Sequence, residues 1–262
     1  MLLAKDGIFP ITKDQYGQSL TESPASGFTF PGTIQGEGKL CGIPSLFIRL
    51  AGCNLHCRWQ MEDGSFSPCD TTYAAYEVKG AYPMDTEDIY KTILQNSDAI
   101  NHIVVTGGEP LLQAKELKTL CHKLKQDNKF HITLETNATI FDENVANYID
   151  LFSMSPKLAS SQGSQSAVSV ETIQAYVSYA QEHHKDFQLK FVYSCEKDIE
   201  EIEKILSHIR GWHPEDILLM PLGGTVGAMR RNMISTLKYC IRNGWRYCDR
   251  LHLSLFGEKA GV

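Results

Sequence analysis

The stretch SLFIRLAGCNLHCRW, residues 45–59, decides how the rest of the chain is interpreted. Its first six residues are mostly apolar and predict a buried strand over 45–50. Cys53 and Cys57 follow directly, so both thiols are expected on the loop after that strand. A third cysteine, Cys69, stands 12 residues beyond Cys57 and can return to the same place, because the entropy of closing a loop grows slowly with its length.

Predicted strands and helices alternate along the chain. We predict strands over 45–50, 102–106, 130–135, 149–154, 187–193, 216–221 and 250–256. We predict helices over 85–95, 117–124, 142–147, 171–183, 199–209 and 229–241. This alternation indicates an α/β fold with a mostly parallel sheet. Ligands in such folds gather at the carboxyl ends of the strands, which is where the cysteine loop lies.

Composition limits the class of protein and its surroundings. A chain of 262 residues is long enough for one large domain with a buried core. The net charge of −6 provides no general attraction to nucleic acid or anionic lipid, so neither partner is expected. No apolar run reaches the roughly 18 residues of a membrane span. The first apolar stretch is broken by Lys5, Asp6 and Pro10 and is a poor signal peptide. We therefore expect a cytoplasmic, reducing setting.

That setting governs how the eight cysteines are interpreted. Disulfides are rare in the reducing cytosol, so clustered cysteines there more often bind metal or do chemistry. Cys121 and Cys240 lie on apolar helix faces and are predicted to be ordinary buried residues. Three clustered thiolates suit a 4Fe–4S cluster with one open iron, whereas closed structural zinc wants a fourth ligand, which His56 can supply. Spacing alone leaves both interpretations open.

Several separated motifs occur in one order along the chain. They are TIQGEG (33–38), GIPSLFIRLAGCNLHCRW (42–59), CDT (69–71), VVTGGEP (104–110), LETN (134–137), SMSPK (153–157) and RLHLSLFG (250–257). Together they resemble the 7-carboxy-7-deazaguanine synthases of the radical S-adenosylmethionine superfamily. The resemblance implies a partial (β/α)6-like TIM barrel of the radical SAM type, usually a homodimer. We expect one domain over 1–262 with a core at about 30–257.

The cysteine loop departs from the pattern of this family. The usual spacing places three residues and then two between the cysteines, which would put the third cysteine at Gln60. Instead, residues 60–68 are inserted before Cys69. We interpret the insertion as a longer loop that keeps Cys53, Cys57 and Cys69 as the three cluster ligands, because the Cys-Asp-Thr triplet survives beyond it.

The resemblance also implies a cofactor site. S-adenosylmethionine would chelate the open iron of the 4Fe–4S cluster, and an external one-electron reductant of the flavodoxin or ferredoxin type would supply the electron that cleaves its sulfonium bond. The radical so formed is non-selective, so the site must exclude water. The positions that match the family's cofactor contacts are Thr106, Gly107, Gly108, Glu109, Glu135, Ser155 and Lys157. Without the resemblance, Gly107-Gly108 is a common turn and Lys157 a surface lysine.

The implied reaction is the ring contraction of 6-carboxy-5,6,7,8-tetrahydropterin to 7-carboxy-7-deazaguanine with loss of ammonia. Gln35 and Glu37 match the family's pterin-binding positions, and Arg49 can hold the substrate carboxylate in a fork. Thr71 matches the Mg²⁺ ligand, and His252 matches a position near the substrate. The plain structural alternatives are a glycine turn at 35–38, a salt-bridged strand arginine and a structural histidine.

Two other functions remain open at this point. One is another radical S-adenosylmethionine activity, such as a glycyl-radical-enzyme activase, which the TIQGEG and Cys-Asp-Thr motifs disfavour because they belong to the substrate side. The other is a non-catalytic zinc-binding protein, which the insertion at Gln60 leaves possible.

Overall fold

The structure is a computed structural model that describes residues 1–60, 65–126, 129–163 and 165–262. Its strands are β1 (Leu2–Phe9), β2 (Thr33–Ile34), β3 (Pro44–Leu50), β4 (Arg58–Gln60), β5 (Phe66–Pro68), β6 (Tyr82–Pro83), β7 (His102–Gly107), β8 (His131–Thr136), β9 (Leu151–Met154), β10 (Asp186–Tyr193), β11 (Ile217–Pro221) and β12 (Arg246–Tyr247). Its α-helices are α1 (Thr72–Ala75), α2 (Thr86–Gln95), α3 (Ala114–Lys125), α4 (Glu143–Ala146), α5 (Val170–Glu182), α6 (Glu196–Ser207), α7 (Val226–Asn243) and α8 (Leu251–Phe256). Short 3-10 helices cover Pro110–Gln113, Ala159–Ser161 and Pro214–Asp216.

One continuous sheet organises the fold. Its strand order is β12-β11-β10-β9-β8-β7-β3-β1-β6, with β2 paired to β3. Neighbouring strands from β3 through β7 to β12 are parallel, whereas β1, β2 and β6 pair antiparallel at the other end. Six parallel strands of four to eight residues, β3 and β7 to β11, alternate with helical crossovers. The predicted α/β fold, a partial (β/α)6-like barrel, is confirmed.

The core follows from the period of the apolar residues. In β7, residues 102–106 are all buried, because the strand is covered on both faces. In α3 the buried residues are Leu117, Leu120, Cys121 and Leu124, the spacing of one helix face. Cys121 and Cys240 are both buried, as predicted.

One secondary-structure prediction is wrong. The segment 250–256 alternates apolar and polar residues and was expected to be a final strand, but it forms α8. The short β12 is the edge strand at this end of the sheet. Residues 250–256 do not add a further strand beyond it. Of the alternating leucines only Leu253 is buried, and Leu255 is 58% exposed. Phe256, three residues after Leu253, packs edge-on against Phe28, so the contacts follow a helical and not a twofold period.

No helix among the described residues is both long and apolar enough to cross a membrane.

A buried histidine at the amino ends of the strands predicts a pH-dependent stability. His102 is 1% exposed, and its ring nitrogens lie 2.7 Å from Ser45 Oγ and 2.8 Å from Thr133 Oγ1. Burial lowers the pKa of His102 to about 4, whereas an unfolded histidine protonates near 6.5. The stabilisation is therefore complete above pH 6.5 and is lost as the pH falls toward 4, by up to roughly 3 kcal/mol.

Urea unfolding of the metal-free chain between pH 7 and pH 4 measures this loss. The stability advantage of the wild type over His102→Asn should narrow as the pH falls. The same comparison with His208→Asn, a change at an exposed histidine, should show a constant difference. A constant difference for His102→Asn would contradict the prediction.

Candidate active site

A cavity of about 560 Å³ lies at the carboxyl ends of the parallel strands. This volume is in the range of small-molecule sites. The cysteine loop lies on its wall together with the ends of β7, β8 and β11, and residues 258–262 also line it. The residues predicted for the site that line this cavity are Gln35, Glu37, Arg49, Cys53, Cys57, Cys69, Thr71, Thr106, Gly107, Gly108, Glu135, Ser155, Lys157 and His252.

The inserted segment forms a β-hairpin that returns Cys69 to the cavity. Strands β4 and β5 pair antiparallel, with Arg58 opposite Pro68. The next residues outward from that pair are Cys57 and Cys69, and the Cys69 N–H donates to the Cys57 carbonyl at 3.1 Å. The hairpin therefore holds two of the three cysteines opposite each other at its base. Residues 61–64 of the insertion lie outside the described residues.

The residue at the usual third-cysteine position lies elsewhere. Gln60 pairs with Phe66 on the far side of the hairpin ladder, is exposed and does not line the cavity. A ligand at position 60 would therefore point away from the other two thiols, whereas Cys69 lines the cavity with them.

The donor set fits a cluster with one open iron. The His56 ring stacks on Tyr76, with centroids 4.7 Å apart, and does not line the cavity with the cysteines. Among the described residues, no three His, Cys, Asp or Glu side chains lie close enough together to hold a single metal ion. The closed zinc site, which needs four ligands around one ion, therefore lacks support. Three cysteine thiols on the wall of one cavity are the kind of donor set that an iron–sulfur cluster uses.

The thiols need metal to become thiolates. Burial raises the pKa of the Cys53 and Cys57 thiols above its ordinary value. The raised pKa favours the protonated thiol, whereas a bound metal ion favours the thiolate, because a coordinating thiol loses its proton. Lys157 also lowers the pKa of both thiols, more weakly than burial raises it.

Two glycines let the end of β7 pass against the cysteine loop. Gly107 has φ +145°, and a Cβ there would lie 2.1 Å from the Leu50 carbonyl oxygen. A Cβ on Gly108 would lie 2.1 Å from the Gly52 carbonyl oxygen. The Gly108 N–H donates to Leu50 O and the Glu109 N–H to Gly52 O, at 3.1 and 2.8 Å. The glycines are thus required for the approach of two backbones.

The close approach of the two backbones predicts that one added methyl group at Gly108 lowers the free energy of unfolding substantially. Gly108→Ala should destabilise the protein by at least about 2 kcal/mol, since the clash is with backbone and not with a side chain that can turn away. Gly224→Ala is the matched control, because nothing lies within 4 Å of a Cβ built there. Chemical unfolding of the two variants tests this, and equal stabilities would contradict it.

Glu109 differs from the other predicted cofactor residues. Its side chain is completely buried and does not line the cavity. The carboxylate accepts hydrogen bonds from the Thr136 hydroxyl and from the Asn137 and Leu111 N–H groups. Burial raises the pKa of Glu109 although these donors oppose the shift. The structure therefore gives this carboxylate a role in joining the ends of β7 and β8.

Polar side chains link the remaining predicted positions across the cavity floor. Glu135 accepts from Gln35 Nε2 at 3.1 Å and from Thr106 Oγ1 at 2.8 Å. This bridge connects the loop after β2 with β7 and β8. Lys157 Nζ donates to Ser155 Oγ at 2.8 Å, just after β9. The predicted positions thus come together although they are far apart in sequence.

Glu37 lies at the centre of a buried charge network. Lys190 of β10 and Arg250 both form ion pairs with its carboxylate, and Arg250 also pairs with Asp70. Burial by itself would raise the pKa of Glu37, but Lys190 and Arg250 lower it well below the ordinary value. The Glu37 side chain is 13% exposed. The structure therefore presents an ionised carboxylate at the cavity wall.

Neither cation of this network was predicted from the sequence. Arg250 begins the RLHLSLFG motif and Lys190 interrupts the apolar strand 187–193, but neither was selected. A lysine in the middle of a buried strand is itself a signal, because such a charge is costly unless it is paired.

Arg49 and His252 lie on other parts of the wall. Arg49 Nε donates to Asp6 Oδ2 at 2.9 Å, and the Tyr73 hydroxyl donates to the same oxygen at 2.8 Å. Arg49 is thus a salt-bridged strand arginine that also faces the cavity. His252 lies on α8 and packs against Gly36. Burial lowers the pKa of His252, so its neutral form is favoured.

Comparison with known proteins assigns the family. The Radical SAM superfamily model matches residues 47–160. A 7-carboxy-7-deazaguanine synthase of Halobacterium salinarum is 36% identical over 249 residues, which are 86% of this chain and 88% of that protein. That of Rhodopirellula baltica is 29% identical over 240 residues, 87% of this chain and 85% of that protein. The crystal structure of QueE from Escherichia coli superposes with a TM-score of 0.59 at 24% identity, covering 94% and 95% of the two chains.

Residues 47–160, which contain the cysteine loop, thus form a radical S-adenosylmethionine domain. Since a relative 36% identical aligns over most of both sequences, the chain belongs to the 7-carboxy-7-deazaguanine synthase family.

Proposed function

We propose that this enzyme contracts the ring of 6-carboxy-5,6,7,8-tetrahydropterin to give 7-carboxy-7-deazaguanine with release of ammonia, in the pathway to 7-deazapurines such as queuosine. The observation that carries this conclusion is the 36% identity to a 7-carboxy-7-deazaguanine synthase along most of both chains. The cavity supports it, because three thiols lie on one wall and an ionised carboxylate and an arginine on the others.

Cys53, Cys57 and Cys69 would hold the 4Fe–4S cluster, and S-adenosylmethionine would lie beside it. When bound, the cluster supplies the electron that cleaves the cofactor's sulfonium bond. The chain contributes Gly107 and Gly108, which line the cavity and let the end of β7 pass against the cysteine loop. The other residues assigned to the cofactor are Thr106, Glu135, Ser155 and Lys157, whereas Glu109 supports the site by joining the ends of β7 and β8.

Glu37 and Arg49 would orient the substrate from two sides. The Glu37 carboxylate is held ionised by Lys190 and Arg250, so it can accept hydrogen bonds from the pterin N–H groups. Gln35 stands next to it and is itself oriented by Glu135. Arg49 would bind the substrate carboxylate. Holding both ends of a flat anion leaves one C–H bond in a defined direction, which a non-selective radical reaction requires.

Mg²⁺ would be held through Thr71 together with substrate oxygens. Thr71 lines the cavity just after Cys69. Magnesium prefers oxygen ligands and keeps several waters, so the protein need contribute only one hydroxyl to its coordination shell. His252 would lie near the substrate from α8.

The setting of the enzyme belongs to the same proposal. We place it in the cytoplasm as a single domain over 1–262, with an external flavodoxin- or ferredoxin-type protein as its one-electron reductant. No nucleic acid or membrane is part of the proposed reaction.

A homodimer is proposed as the working form, and α7 provides a surface for it. Ile234, Leu237 and Ile241 are 63%, 40% and 75% exposed, and their spacing puts them on one helix face. Packing this face against a second copy would remove three large apolar side chains from water. Ile241→Asp should shift the sedimentation of the protein toward the monomer, whereas Lys204→Asp, a change at an exposed cation on α6, should not. A monomeric wild type would contradict the dimer.

The decisive experiment is anaerobic reconstitution followed by incubation with S-adenosylmethionine, Mg²⁺, a reductant and the tetrahydropterin. Mass spectrometry should detect 7-carboxy-7-deazaguanine. Cleavage of S-adenosylmethionine without conversion of the pterin would support a radical S-adenosylmethionine enzyme but would contradict the proposed substrate. A colourless protein without iron would overturn the proposed reaction.

A further inference from the structure

The Cys57 sulfur has a side-chain donor that none of the motifs includes. Gln162 Nε2 lies 3.1 Å from Cys57 Sγ, in position to donate a hydrogen bond. Gln162 is half-buried and lies immediately after the 3-10 helix Ala159–Ser161. That segment has no assigned part in binding the cofactor or the pterin.

The donor is held from two sides. The Ala159 N–H donates to the Glu201 carboxylate at 3.0 Å, which ties the 3-10 helix to α6. On the other side, Trp59 of the inserted hairpin is 9% exposed and packs beside Leu158 and Ser161. The hairpin that returns Cys69 to the cavity thus also supports the segment that positions Gln162 beside Cys57.

The three cysteine sulfurs are not equivalent. Cys53 Sγ accepts from the Leu55 N–H at 3.4 Å, and Cys69 Sγ lies 3.5 Å from the Thr71 hydroxyl. The contact from Gln162 to Cys57 is the shortest of these three. Hydrogen bonds to the sulfurs are among the factors that set the potential of an iron–sulfur cluster. A donor stabilises the extra negative charge of the reduced state, so it raises the potential.

We propose that Gln162 sets the reduction potential of the cluster by donating to the Cys57 sulfur, and that Trp59 holds this donor in place. The inference rests on the proposed function only in that a cluster is bound by the three cysteines. One electron from the external reductant adds one negative charge to the cluster, and no bond in the protein is made or broken. Gln162 is a positioning residue and does not itself react.

The test is a redox titration of the reconstituted protein with dithionite, monitored by the EPR signal of the reduced cluster. Gln162→Leu removes the donor and keeps the size of the side chain. Its reduced-to-oxidised ratio at a fixed potential should fall by three- to tenfold, where tenfold is about 59 mV for a one-electron couple. Iron content should stay at the wild-type level. Trp59→Leu should shift the potential in the same direction, because the donor is then less well held.

Gln165→Leu is the matched control, since Gln165 is exposed in the same loop and should leave the potential unchanged. A Gln162→Leu potential equal to that of the control would overturn the inference while leaving the proposed reaction intact. If Gln162→Leu loses iron, the potential is measured on Gln162→Met instead. Loss of iron from both variants would show that the contact is required for cluster assembly and would overturn its role in setting the potential. A wild type that binds no cluster would instead overturn the proposed function.

Discussion

Cys69→Ala is expected to leave the reconstituted protein without a stable cluster and to reduce formation of 7-carboxy-7-deazaguanine by more than about 100-fold. Removing a residue that only supports a metal ligand already costs about 10- to 100-fold, so removing a ligand should cost more. Cys69 has this effect although it is distant in sequence, because the β4–β5 hairpin brings it back beside Cys57. At the base of the hairpin the Cys69 N–H donates a hydrogen bond to the Cys57 carbonyl. Iron content, absorbance and product are measured on the same sample.

Two controls separate the ligand from the loop. Cys195→Ala changes an exposed cysteine that does not line the cavity, and iron content should stay at the wild-type level. The double variant Gln60→Cys, Cys69→Ala restores the usual spacing but should not restore the cluster, since position 60 is on the far side of the hairpin ladder. Recovery of iron in this double variant would show that the loop can rearrange and that the hairpin does not select the ligand.

Glu37→Gln is expected to reduce kcat/KM for the pterin by roughly 30-fold to several thousand-fold, the equivalent of about 2–5 kcal/mol. The substitution removes the charge that would bind the pterin N–H groups, and it leaves Lys190 and Arg250 without their shared partner. Reductive cleavage of S-adenosylmethionine without substrate should change by only a few-fold, because the assigned cofactor residues lie on other elements.

Glu215→Gln is the matched control for this variant, since Glu215 is exposed and does not line the cavity. Thermal unfolding of both variants separates lost recognition from lost folding. If Glu37→Gln loses cofactor cleavage to the same extent as pterin turnover, Glu37 supports the whole barrel and not the substrate.

The α/β fold could be predicted because its signals are local. The strand 102–106 has the β-branched apolar centre Ile103–Val105, and α3 shows the spacing of one buried face. The segment 250–256 was mispredicted because its alternation of apolar and polar residues fits a strand equally well. Its conformation depends on the sheet ending at β12, which is a property of the whole fold.

The candidate site was predictable to a similar extent. The motif positions follow strands, so the carboxyl end of a parallel sheet gathers them, and fourteen of the fifteen predicted residues line the cavity. Glu109 does not, because its carboxylate is turned inward onto Thr136 and Asn137. Lys190 and Gln162 lie outside the motifs and Arg250 begins one without having been selected, because the roles of all three depend on which side chain lies opposite them.

The sequence by itself determined the elements of this protein: the alternation of strands and helices, the three cysteines after β3 and the two glycines that only a close backbone approach requires. These are properties of neighbouring residues, and local geometry is enough to interpret them. Only the tertiary structure decided that Cys69 lies opposite Cys57, that Glu37 is ionised between Lys190 and Arg250, and that Gln162 reaches a sulfur. Pairings of this kind join residues tens to hundreds of positions apart, and the free energy that places them comes from packing the entire sheet.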